Sequence, residues 1–227
     1  MTKGEAGAVW FREERTGRAR PQLSRERITA AAVELLDGEG VQKLSMRTLA
    51  ARLDAHATSL YWHVATKEDV LDLALDAVLG ELDPPPPSDD WRRDLTAFAT
   101  GLRAVLLAHP WAAHLAGTRP LAGPQALRAT EYAYAALASA GFDESGLAAA
   151  AGVVSHYVIG SAQAEAVWGH RADEEAARTA VAGHLASRTA EYPLLASSFS
   201  QVEKREEEFG RGWELVLAGI AAGGARA

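Results

Sequence analysis

Residues 23–75 read LSRERITAAAVELLDGEGVQKLSMRTLAARLDAHATSLYWHVATKEDVLDLAL. Ser24 is a suitable N-cap, since its hydroxyl can accept from an unpaired amide of the first turn. Ile28, Ala31, Ala32, Leu35 and Leu36 follow at helical spacing, and Gly38 is the expected stop. A second cap candidate, Ser45, precedes Met46, Leu49, Ala50 and Leu53 at i, i+3, i+4 and i+7. Asp54-Ala55-His56 breaks the pattern before a short segment at 57–64. Thr66 and Asp69 then stand in the capping-box relation, and Leu71, Leu75, Val78, Leu79 and Leu82 continue as one helical stripe. The spacing predicts three short helices and a longer fourth at 67–82.

Working outward, Pro84-Pro85-Pro86-Pro87 excludes helix interior, because each ring removes an amide donor, and marks a joint. Asp89 and Asp90 open a further helix through Leu107, broken at Pro110. Another helix is expected near 124–140, stopped by Gly141. Residues 143–168 are apolar on most sides and so must be covered on most sides. Phe209, Trp213, Val216, Leu217 and Ile220 make a last amphipathic stripe, while 169–200 is mixed. No run of alternating β-branched residues argues for a strand. The fold class expected is all-α: a helix-turn-helix head joined by a long helix to a larger helical body.

Composition bounds the chemistry. The chain has 227 residues, 48% hydrophobic and 23% charged, an ordinary globular balance. It contains no cysteine, which excludes disulfides, thiolate nucleophiles and cysteine-bound metals. No stretch is an unbroken apolar run of membrane-spanning length, and the first residues lack the apolar core of a secretion signal, so the cytoplasm is the expected location. The formal charge of −7 is uneven: residues 1–67 balance at +3 and the remainder at −10. A basic head on an acidic body suits a head that approaches a polyanion.

Three short helices with a tight break between the second and third match the helix-turn-helix plan, whose second motif helix enters the major groove. That helix would span about 57–64. Leu60 and Val64 suffice for its buried side, leaving Thr58, Ser59, Tyr61, Trp62 and His63 for contact. Tyr61 and Trp62 suit phosphates and sugars, and Lys67 lies where a helix start meets the DNA backbone.

SLYWHVATKEDVLD and the preceding LSMRTLAARLDA resemble the DNA-binding head of the tetracycline-repressor (TetR) family of bacterial regulators. LLAHPWAAHLAGTRP and AGVVSHYVIGSAQAE resemble, more weakly, the body of its tetracycline-responsive branch. The resemblance implies an all-helical homodimer that represses promoters by binding double-stranded operator DNA and lets go when a small-molecule inducer enters the body. Residues 1–22 are expected to be a disordered arm, and the resemblance divides the rest into a DNA-binding domain at 23–83 and a ligand-binding and dimerisation domain at 84–227. Carried over by position, the DNA contacts fall on Arg47, Ala57, Thr58, Ser59, Tyr61, Trp62, His63 and Lys67. Arg47 is the candidate for a bidentate guanine contact; the alternative is a solvated surface arginine. Ala57 replaces a longer polar residue common there, which points to a different operator. Asp54 stands in the turn where glycine is usual, and aspartate tolerates left-handed geometry.

For the body, the resemblance places ligand contacts on Thr118, Arg119 and His156, with His114 reached only by a gap and Glu165 one residue beyond its match; Phe98, which stands where the family has asparagine, and Leu102 suit the wall of an apolar cavity. The fit to a magnesium-chelate site is poor. Superposing the GTRP residues puts Leu115 where the family has histidine, and the expected glutamate position holds Ala164, with Glu165 rotated by about 100°. No metal and no cofactor are expected. Residues 143–168 and 207–221, Val154 and Val216 among them, are the expected dimer seam, pairing as a four-helix bundle; the alternative is the core of a monomer. Arg12, Arg15, Arg18 and Arg20 suit either a minor-groove arm or a solvated tail. Two other readings stay open: a constitutive or protein-regulated DNA-binding protein, and a helical enzyme. Against the enzyme stand the missing nucleophile elbow, P-loop, dinucleotide fingerprint and HExxH motif.

Overall fold

The computed structural model describes residues 6–11, 23–168, 174–199 and 205–224. Among the described residues there are eleven α-helices, one 3-10 turn at Ala8–Phe11, and no strand. The head comprises α1 (Arg25–Glu39), α2 (Met46–Arg52), α3 (Ala57–Leu60) and α4 (Lys67–Leu79). The caps lie where side chains can close the first turns. The Ser24 hydroxyl accepts from the Arg27 amide, and Ser45 with Thr48 and Thr66 with Asp69 form reciprocal capping boxes. Helix α1 runs through Gly38 and stops at Gly40, whose φ of 77° is left-handed. Asp54 adopts φ 50° in the turn between α2 and α3, as an aspartate can. The fourth helix ends at Leu79, with Gly80 as its C-cap, one turn short of the stripe's last leucine.

Ile28, Leu36, Leu49, Leu60, Val64 and Val70 are fully buried in the head core. Helix α4 is apolar on nearly every side because it belongs to two cores: it packs on α1 in the head and on α7 (Pro124–Ser139) in the body. Truncating one of its buried leucines to alanine would cost about 2–5 kcal/mol.

The body is built on α5 (Trp91–Ala108), α6 (Pro110–Ala116), α7 and α8 (Glu144–Trp168), with α11 (Arg205–Gly224) laid on α8. Pro110 breaks α5 as expected and also starts α6 at its first turn, where a missing amide costs nothing. The mixed region contains α9 (Glu174–Ala186) and α10 (Pro193–Phe199), which pack on each other. By length and composition α8 could cross a bilayer, but Val154, Val158 and Ala162 are fully buried in the body core.

Two expectations are corrected. Val154 is not a seam residue, since it points into its own chain's core; the exposed face of α8 carries Val153, His156 and Gly160. The arm at 1–22 is structured over residues 6–11, with Val9 buried against α4. Arg12, Arg15, Arg18 and Arg20 lie outside the described residues.

Candidate nucleic-acid interface and the joint behind it

The second motif helix is shorter than the sequence suggested. Only Ala57–Leu60 is helical, and the chain then turns through Tyr61, Trp62 and His63 to Val64. Leu60 and Val64, at 0% and 2% exposure, anchor the segment from both ends. Anchoring these two leaves Tyr61 at 47% and Trp62 at 60% exposure, which apolar packing alone would oppose. Arg47 and Thr58 are exposed, and Ala57, Ser59 and His63 are half-buried. Glu26, in the first turn of α1, has its carboxyl held below the ordinary range chiefly by its hydrogen bond with the Ser24 hydroxyl. An exposed cation, hydroxyls and two ring edges over a rigid three-helix core suit a polyanion with readable edges.

Lys67 is more constrained than expected. Its ammonium donates to the Val41 carbonyl at 3.1 Å, tying the start of α4 to the loop between α1 and α2. Any phosphate contact is therefore made by an ammonium that also holds the head together.

The body candidates do not converge. Phe98 and Leu102 are buried in the core, whereas His114, Thr118 and His156 are exposed. The Thr118 hydroxyl donates back to the His114 carbonyl at 3.2 Å and closes the end of α6. Glu165 accepts from Arg103 Nη2 at 2.6 Å, and the Arg103 guanidinium lies 4.8 Å from the centre of the Phe209 ring.

Arg119 is committed to α4. Its Nη1 donates to Glu68 at 2.6 Å, its Nε to Asp72 at 2.7 Å, and its Nη2 to the Glu68 carbonyl at 2.9 Å. The Arg119 and Asp72 side chains are only 8% and 2% exposed, so the Nε–Asp72 bond is a desolvated, charge-assisted one, and the rest of the guanidinium is spent on Glu68. One turn on, Asp76 accepts from the backbone amides of Gln125 and Ala126 at 3.1 and 2.9 Å, capping α7 from another helix. Burial raises the Asp76 carboxyl, and those two amides oppose the rise. On the other side, Asp37 near the end of α1 accepts from Trp111 Nε1 at 2.6 Å and pairs with His109 Nδ1 at 2.8 Å. Glu81 pairs with the other His109 nitrogen at 3.2 Å.

Of these joint residues only Arg119 stands out in the sequence, and there as a ligand candidate. A signal was available: Asp69, Asp72 and Asp76 interrupt a leucine stripe at helical spacing, and buried carboxylates require partners.

Comparison with known proteins places both halves. Residues 28–74 match the model of "Bacterial regulatory proteins, tetR family", and residues 83–223 match "Tetracyclin repressor-like, C-terminal domain". An HTH-type transcriptional regulator of Saccharopolyspora erythraea is 56% identical over 223 residues, 97% of this chain and 94% of the relative. The HTH-type transcriptional repressor DrrR1 of Streptomyces coeruleorubidus is 34% identical over 160 residues, 69% of this chain and 59% of that one. The crystal structure of the Streptomyces coelicolor TetR family protein ActR in complex with actinorhodin superposes with a TM-score of 0.83 at 29% identity, covering 90% of this chain and 98% of that one. The helix-turn-helix head, the helical body and these likenesses agree: the chain belongs to the tetR family of bacterial regulatory proteins and is a DNA-binding transcriptional regulator, not an enzyme.

Proposed function

We propose that the protein is a homodimeric repressor that leaves its operator when a small molecule enters the body. The observation that carries the reading is the division of labour along α4. Its start is tied into the head through Lys67 and Val41, while Glu68, Asp72 and Asp76 bind it to the body. A body held to a head in this way transmits its own rearrangements to the two reading surfaces of a dimer.

The dimer is formed by the faces that one chain leaves open. Val153 on α8 and Leu215 on α11 are 52% and 76% exposed, large apolar side chains on adjacent helices of one body. Small residues beside them, Ala149, Gly152 and Gly160, allow two backbones to approach. In this assignment His156 belongs to the seam. The reading contacts are Arg47, Ala57, Thr58, Ser59, Tyr61, Trp62, His63 and Lys67.

The inducer enters between α5 and α8, where Phe98 and Leu102 supply apolar wall and the Arg103–Glu165 pair supplies charge. ActR, whose fold superposes on this chain, is in complex with actinorhodin, so actinorhodin is the first compound to try. The protein works in the cytoplasm, beside the chromosome.

The test is selection of duplexes from random DNA by the full chain, followed by footprinting and then displacement with actinorhodin as probe. The expected result is a two-fold symmetric site with half-site centres about 34–36 Å apart, or a multiple. Binding no tighter to the selected duplex than to bulk DNA would overturn the reading.

A further inference from the structure

The N-terminal segment sits where the head meets the body. Val9 is 4% exposed, as buried as the head's own core, although it belongs to a segment rich in glycine and charge. Gly7, at φ 78°, turns its amide inward to donate to Asp72 Oδ2. Asp72 is thus shared: one oxygen takes the N-terminal amide and the other takes Arg119 of the body. Trp10 lies in a crevice with Asp72, Leu75, Asp76 and Leu79 of α4 and the body turn at 120–123. That turn tolerates no side chain at Gly123, where a Cβ would collide with Asp76 and stand 2.7 Å from the Trp10 ring. Three separate parts of the chain therefore close on one spot: the 3-10 turn, the middle of α4 and the start of α7.

We propose that residues 6–11 are a strap that pins α4 to the body and so restricts the swing of the head. The inference rests on the reading above that the head binds operator DNA. A dimer meets two half-sites at fixed spacing, and every angle that its heads explore when free must be given up on binding. The strap removes some of that freedom in advance, through groups remote from the DNA. Ligand-driven movement of α4 has to work against the same contacts, so the strap also sets how readily the protein is induced.

The experiment uses the full chain with Val9→Asp, and Trp10→Ala as a milder second variant, with helix content checked by circular dichroism. Without DNA, amide exchange at Gln125 and Ala126, the donors to Asp76, is expected to speed up in both variants. Affinity for the duplex selected by the wild type is expected to weaken by about five- to tenfold, with salt dependence and sequence preference unchanged. Unchanged exchange in both variants would show that the segment pins nothing. Faster exchange with unchanged or tighter DNA binding would show that the pinned angle is not the one DNA selects. A shifted sequence preference would place the effect in the reading surface. Failure of the wild type to select any duplex would count against the DNA reading, while the exchange measurement would still decide whether the strap holds the joint.

Discussion

Trp111 donates its indole hydrogen to Asp37 at 2.6 Å, and in that bond α6 of the body holds on to the last turn of α1. Trp111 is 7% exposed, so the donor side of the bond is shielded, while the Asp37 carboxylate stays partly open to water. Trp111→Phe keeps most of the packing and removes the donor. It is expected to cost about 1–3 kcal/mol in urea unfolding, in the range for a hydrogen bond to a charged group. An unchanged midpoint would mean that Asp37 is held by His109 alone.

The same cluster makes stability depend on pH. Burial alone would lower His109, but its hydrogen bonds to Asp37 and Glu81, with their charges, hold it above the ordinary histidine value. A folded-state value above the unfolded one means that the contribution is fully present below the unfolded value, about 6.5. It fades as pH rises through the folded value. The melting temperature of wild type minus that of His109→Gln, followed from pH 6 upward, is therefore expected to be largest at the acid end and to shrink toward alkaline pH. A difference that grows with pH would refute the assignment.

Arg119 was a ligand candidate in the sequence and is a structural clamp in the fold. Arg119→Ala leaves the Asp72 carboxylate buried with only the Gly7 amide and is expected to destabilise by about 3–5 kcal/mol. Arg119→Lys should recover little of this, because one ammonium cannot serve Glu68 and Asp72 in the same fork geometry. Chemical denaturation of both variants decides it.

Arg47→Ala and Lys67→Ala are expected to fail differently. The first should lose about 1–3 kcal/mol on the selected operator and relax one position, leaving the melting temperature unchanged. The second should weaken all duplexes, flatten the salt slope by about one, and also lower the melting temperature, because Lys67 ties α4 to the Val41 carbonyl. Equal sequence selectivity in wild type and Arg47→Ala would remove Arg47 from the reading surface.

For the dimer, Val153→Glu and Leu215→Glu are expected to give folded monomers in sedimentation, with operator binding lost. Val154→Glu is expected to unfold the chain, because an unpaired carboxylate would enter the body core. Dimers from both surface variants would move the seam elsewhere.

The sequence alone determined what depends on neighbours along the chain. The Ser45 cap and the Thr66–Asp69 capping pair act within one turn, and the i, i+3, i+4 stripe of α1 states which side goes inward whatever it meets. The same local logic left Tyr61 and Trp62 outside once Leu60 and Val64 were inside. Tertiary structure decided which polar groups meet across distance. Asp37 and Trp111 are 74 positions apart, and Arg119 and Asp72 are 47 apart; no periodicity connects such pairs. Thus Arg119 and His156 look alike in sequence, as polar residues in an apolar body, yet one is buried against α4 and the other is exposed on α8. The difference comes from how the helices pack. A buried charge is tolerated only where packing delivers its counter-charge, and that is settled when α4, α6 and α7 close on one another.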